Sequence, residues 1–104
     1  MSPDITIRDA PDECRFVAEL AGATASAWYV REGHALRFLR VDVPAALEGK
    51  GVLSQLIRVA LAEARARGLL VEPLCPEFIR YFRGHPETHD LLSPEGRQYL
   101  ATPF

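Results

Sequence analysis

Three features of the sequence predict an α+β fold. Four stretches between residues 5 and 43 alternate apolar and polar side chains with the two-residue period of strands. From Val52 the period becomes that of a helix, and it holds for about four turns. A short apolar run and a second, shorter helical segment follow. The expected architecture is a mostly antiparallel sheet carrying one long helix, with a short helix near the C-terminus.

The elements follow in order. Ile5 and Ile7 alternate with polar neighbours and predict a first strand. Asp9, Pro11 and Asp12 form a turn cluster. Cys14, Phe16, Ala18 and Leu20 then alternate with Arg15, Val17 and Glu19 as a second strand, which Gly22 ends. On that pattern Cys14 is expected in the core. Residues 24–30 predict a third strand, with Trp28 and Tyr29 on opposite faces; either one fits the core. Glu32-Gly33-His34 is a hairpin turn signal.

Residues 36–43 predict a fourth strand whose phase changes: Leu36 and Phe38 share one face, and Leu39, Val41 and Val43 the other. Burial on both faces and a β-bulge both account for that change. Pro44, without an N–H, stops the strand. Val52, Leu53, Leu56, Ile57, Ala60, Leu61 and Ala64 then mark the long helix, with Arg65 and Arg67 suited to its negative end and Gly68 beyond it. Residues 69–72 predict a buried fifth strand ending at Pro73. Pro76 opens a helix that turns Phe78, Ile79 and Phe82 inward and ends at Gly84-His85-Pro86. Ser93-Pro94-Glu95 begins a last short helical turn.

At 104 residues the chain is expected to form one domain, residues 1–104. Its 48% hydrophobic and 25% charged residues are those of an ordinary globular protein. A net charge of −2 gives no global field for nucleic acid or an anionic membrane. No apolar run approaches the ~20 residues of a membrane span. The opening Met-Ser-Pro-Asp-Ile-Thr lacks a basic region followed by an apolar stretch, so no secretory signal and a cytoplasmic location are expected. The two cysteines are far apart, which suits a reduced protein, with a Cys14–Cys75 bridge as the open alternative.

The stretch most informative about chemistry joins the fourth strand to the long helix: Val41-Asp-Val-Pro-Ala-Ala-Leu-Glu-Gly-Lys-Gly-Val-Leu53. Gly49 and Gly51 let backbone amides approach a bound group with no Cβ in the way. The helix start adds free N–H groups and a partial positive charge, and Lys50 adds a cation. Such a loop suits phosphate or pyrophosphate. Its spacing fits neither the G-x-G-x-x-G dinucleotide fingerprint nor a P-loop. A tight turn with no ligand is the other reading of the two glycines.

Three segments resemble the GNAT superfamily of N-acetyltransferases, and in particular its small YjdJ-type branch. They are Val43-Pro44 with Leu47-Glu-Gly-Lys-Gly-Val52, the helix ending Ala62-Glu-Ala-Arg-Ala-Arg-Gly68, and Val71-Glu-Pro-Leu-Cys-Pro-Glu-Phe78 followed by His85-Pro86-Glu87 and Asp90-Leu91. The resemblance implies a minimal GNAT-like fold and a site for acetyl-coenzyme A or coenzyme A. The pyrophosphate would rest on Gly49, Lys50, Gly51, Val52 and Leu53. The pantetheine arm would pair with backbone near Val41 and Val43, and the thioester would lie near Cys75. A backbone amide near Val41 would hold the developing oxyanion. The sequence departs from the usual loop at Glu48 and Leu53, and Arg40 stands where many members of the branch have histidine.

Cys75, just before a helix, is the candidate catalytic residue; a small buried apolar side chain is the alternative reading. His85 and His89 with scattered neighbours do not make a zinc set, so no metal is expected. Arg80 and Tyr81 reach a cofactor from the short helix or form its solvent face. Two functions follow. One is an acetyltransferase acting on an unidentified amine. The other is a catalytically degenerate coenzyme-A-binding or scaffold domain.

Overall fold

The computed structural model describes residues 5–101. Five strands form one sheet in sequence order: β1 (Thr6–Ala10), β2 (Arg15–Leu20), β3 (Ala23–Glu32), β4 (Ala35–Asp42) and β5 (Leu70–Pro73). The first four pair antiparallel, and β4 pairs parallel with β5. A parallel neighbour needs a crossover. Here it is the 3-10 turn Ala45–Leu47, the glycine loop and the helix α1 (Val52–Ala66). The helices α2 (Pro76–Gly84) and α3 (Pro94–Ala101) follow β5, joined by a 3-10 segment Pro86–Leu91. The α+β class and the mostly antiparallel sheet are as expected.

The core lies between the sheet and α1 and α2. Helix α1 turns Val52, Leu56, Ile57, Ala60, Leu61 and Ala64 inward. The facing strands present Phe16, Ala18, Ala25 and Ala27, all fully buried. Alanines on both surfaces let the helix lie close to the sheet. Beside them the rings of Phe16, Tyr29 and Phe38 pack with centroids 5.4–6.2 Å apart, and Phe78 of α2 stacks on Phe38 at 4.2 Å. Tyr29 is therefore the core member of the Trp28–Tyr29 pair, and its hydroxyl donates to Asp9 Oδ1 at 2.6 Å. Burial and that carboxylate push the Tyr29 hydroxyl well above the usual phenol range. Arg67, past the end of α1, pairs with Asp9 Oδ2 at 3.0 Å and so ties the helix to β1.

Two expectations are corrected. Cys14 is exposed and stands outside β2 in the left-handed region, φ 56°. Its N–H closes the 3-10 turn Pro11–Glu13 on Pro11 O at 3.1 Å, so the turn and not the strand sets its direction. The last segment is also longer than one turn. Ser93 Oγ accepts from the Gly96 N–H at 3.0 Å, and the eight-residue α3 continues from there. No helix among the described residues is long and apolar enough to cross a membrane.

The phase change in β4 is a bulge. Trp28 pairs with Arg40 and Tyr29 with Phe38, so Leu39 is the extra residue. Pairing with β5 also ends here, at Phe38 and Pro73. One further bond, Leu74 N–H to Phe38 O at 3.0 Å, closes the junction. Beyond it β4 runs on to Asp42 beside β3 alone, so its other edge is open where β5 turns into α2.

Candidate functional site at the loop between strand four and helix one

The open edge of β4 leads directly into the glycine loop. Leu47, 2% exposed, pins the 3-10 turn to the core, and the chain then rises to the surface at residues 48–51. Gly49 and Gly51 take φ of 76° and 74°, where a side chain would be strained. A Cβ added at either would meet nothing within 4 Å, so the loop is open on its outer side. Gly51 is the N-cap of α1, and no side chain caps the helix. Gln55 N–H bonds Gly51 O at 3.3 Å, which leaves the first-turn amides of Val52, Leu53 and Ser54 without an intrahelical acceptor. No acidic residue lies in that turn. Uncapped donors and the helix dipole make this end of α1 favourable for an anion.

A cavity of about 430 Å³ opens at this place, lined by Val41, Asp42, Val43, Leu47, Glu48, Gly49, Gly51, Val52, Leu53 and Glu77. It brings together every sequence-predicted loop and strand residue except Lys50, which is exposed in the same loop but does not border it. A second cavity of about 340 Å³ adjoins it between α1 and α2, bordered by Gly51, Leu53, Ser54, Ile57, Glu77, Arg80 and Tyr81. Gly51, Leu53 and Glu77 belong to both, so the two form one trough from the β4 edge to the α2 surface. Tyr81 stacks on His85 with centroids 3.9 Å apart at its far end.

The polar lining is acidic. Asp42, Glu48 and Glu77 border the first cavity with no Lys or Arg, and Arg80 is the cation of the second. Sequence reasoning singled out Glu48 but gave Glu77 no role. In sequence Glu77 reads as an ordinary acidic residue in the first turn of a helix, and only the packing of α2 beside α1 brings it to Gly51.

Cys75 does not border either cavity. It is 2% exposed, within the hydrophobic core, and is the N-cap residue of α2. Burial pushes its thiol above the ordinary cysteine range, and the nearby amide of Phe78 offsets this only in part. His85 and His89 serve α2. His85 Nδ1 lies 2.8 Å from Tyr81 O and His89 Nε2 2.6 Å from Phe82 O; a carbonyl only accepts, so each of these nitrogens carries the hydrogen. Among the described residues no three His, Cys, Asp or Glu side chains stand together as a metal-binding group. Arg40 faces away from the trough, its guanidinium over the Trp28 ring.

A family model described as GCN5-related N-acetyl-transferase covers residues 15–91, from the start of β2 to the end of the 3-10 segment after α2. A search of curated proteins finds no match.

Proposed function

The chain belongs to the GCN5-related N-acetyltransferase family, and on that premise we propose that it binds acetyl-coenzyme A in the trough and passes the acetyl group to an amine. The observation that carries this reading is the uncapped start of α1 behind two left-handed glycines, facing a cavity that continues along an unpaired strand edge. The residues fit the cofactor in shape. The amides of residues 51–54 hold the pyrophosphate, the open edge near Val41 and Val43 pairs with the pantetheine amides, and Arg80 and Tyr81 border the nucleotide end. Lys50, in that loop, adds long-range attraction. When bound, acetyl-coenzyme A would supply an activated acetyl thioester for transfer to an amine nitrogen, with the coenzyme A thiol as the other product. A backbone N–H beside Val41 would hold the thioester carbonyl oxygen.

The test is thermal. A ligand that binds only the folded state at about a hundred times its Kd adds roughly 2.7 kcal/mol. For a domain of this size that raises the Tm by roughly 10 °C or more. No movement of the transition with saturating acetyl-coenzyme A sinks the cofactor reading.

Direct transfer to the amine suits the site better than an acetylated cysteine. The Cys75 thiol is enclosed, absent from the trough lining and disfavoured as a thiolate. Incubation with acetyl-coenzyme A should therefore leave the intact mass of the protein unchanged. Cys75→Ala should keep cofactor binding and lose about 1 kcal/mol of stability from the core. One added acetyl, present in native protein and absent from Cys75→Ala, would establish the covalent route instead.

A further inference from the structure

The sheet face turned away from α1 and α2 carries a cluster that the trough does not use. Arg15, Trp28 and Arg40 are direct cross-strand neighbours on β2, β3 and β4. Each guanidinium carbon stands 5.0 Å from the centre of the indole, so cations flank Trp28 from both adjacent strands. Their charge balance differs. Arg15 donates from Nε to Glu13 Oε1 at 2.6 Å and from one terminal nitrogen to Ser26 Oγ at 2.7 Å. Arg40 is exposed and, among the described residues, forms no ion pair, not even with Asp42 two positions along the strand.

Two exposed apolar side chains lie beside the cluster. Val30, two residues beyond Trp28 on the same face, is 38% exposed, and Leu39, the bulge residue before Arg40, is 44% exposed. Neither Trp28 nor Arg40 borders the trough. The bulged strand β4 connects shelf and trough. Val41, paired with core-facing Ala27, lines the trough, and Arg40, paired with Trp28, projects from the other face. A group lying over Trp28 is thus one strand away from the edge assigned to the pantetheine arm.

This inference rests on the acetyltransferase reading: we propose that the shelf formed by Trp28, Val30, Leu39 and Arg40 receives the acceptor, and that the acceptor is a polypeptide segment with a carboxylate side chain close to its reactive amine. An uncompensated guanidinium selects a carboxylate and can hold it by two hydrogen bonds. Its planar head and the indole offer a flat surface to the apolar part of the same segment. The four residues spread over β3 and β4, so an extended chain gains contact along the whole shelf.

Trp28 is the sole tryptophan of the chain, so its emission reports on this face. Two synthetic peptides of equal length, each with one lysine, are titrated into the full chain without acetyl-coenzyme A. In one the lysine is flanked by Asp and Glu, in the other by Arg. The acidic peptide should change the Trp28 emission saturably, more weakly as salt rises, and Arg40→Gln should weaken its binding about tenfold. The basic peptide should leave the emission unchanged. The inference is overturned if the acidic peptide leaves Trp28 undisturbed, or binds Arg40→Gln as tightly as the native chain. Free glutamate acting at the same concentrations as the acidic peptide overturns the polypeptide assignment. Failure of the cofactor reading is seen separately, in the thermal shift with acetyl-coenzyme A. A shift there without a peptide response removes the acceptor shelf and leaves the cofactor site standing.

Discussion

Phe38→Ala should lower the unfolding free energy by about 3–5 kcal/mol and the Tm by roughly 15 °C or more. Phe38 is fully buried, stacks on Phe78 at 4.2 Å and meets the rings of Phe16 and Tyr29. Removing its ring strips apolar contacts from β2, β3 and α2 at once, and rigid neighbours refill such a hole only in part. A domain of this size holds about 5–15 kcal/mol in all, so the loss is a large share of the total. Position adds to the cost. Phe38 is the last residue of β4 that pairs with β5, and its carbonyl receives the Leu74 N–H where the strands part. Loosening that junction should also weaken acetyl-coenzyme A binding, because the open edge of β4 begins there. Val30→Ala, on the same sheet but 38% exposed, is the control and should cost less than about 1 kcal/mol. Urea denaturation of the two variants checks the contrast; a Phe38→Ala midpoint close to that of Val30→Ala would contradict it.

Strong local periodicity made most of the fold legible in the sequence. The helical spacing from Val52 to Ala64 corresponds to α1, and the inward set Phe78, Ile79 and Phe82 to α2, because each pattern repeats over consecutive turns. The phase change between Phe38 and Val41 fitted a bulge, in which one extra residue reverses every later side chain, as well as burial on both faces. Its position at Leu39 required the register with β3. Cys14 was misread because alternation with Phe16 and Ala18 looks the same whether the first residue belongs to the strand or closes the preceding turn. Trp28 and Tyr29 were left undecided for a similar reason. Period two separates their faces, and only cross-strand partners, Phe38 for one and Arg40 for the other, identify the inner face. In the trough, residues 41–53 are contiguous and were found together. Glu77 reaches it through tertiary packing, to which no local pattern refers, and packing also places Arg80 and Tyr81, for which the sequence left a cofactor contact and a solvent face both open.

Glu48→Arg should tighten acetyl-coenzyme A binding by about tenfold or more. Glu48 borders the first cavity immediately before Gly49, in a lining that contains Asp42 and Glu77 and no cation. Its own N–H is already used, bonded to Ala45 O at 3.2 Å, so the residue contributes its side chain and no free amide to the loop. That side chain is exposed and sets a carboxylate beside the cavity proposed to receive the phosphates. Removing the charge and adding a guanidinium are separable effects. Glu48→Gln should recover the first and Glu48→Arg both, so affinity should rise from native to glutamine to arginine. Raising the salt should narrow the differences, because these charges face water and are screened within about 10 Å at 0.1 M. Calorimetry with acetyl-coenzyme A at two ionic strengths measures all of this. A full response to Glu48→Arg with none to Glu48→Gln would mean that the carboxylate lies away from the phosphates and only the new guanidinium reaches them. Equal affinities for all three proteins would put residue 48 outside the phosphate site, and with it the assignment of the pyrophosphate to the start of α1.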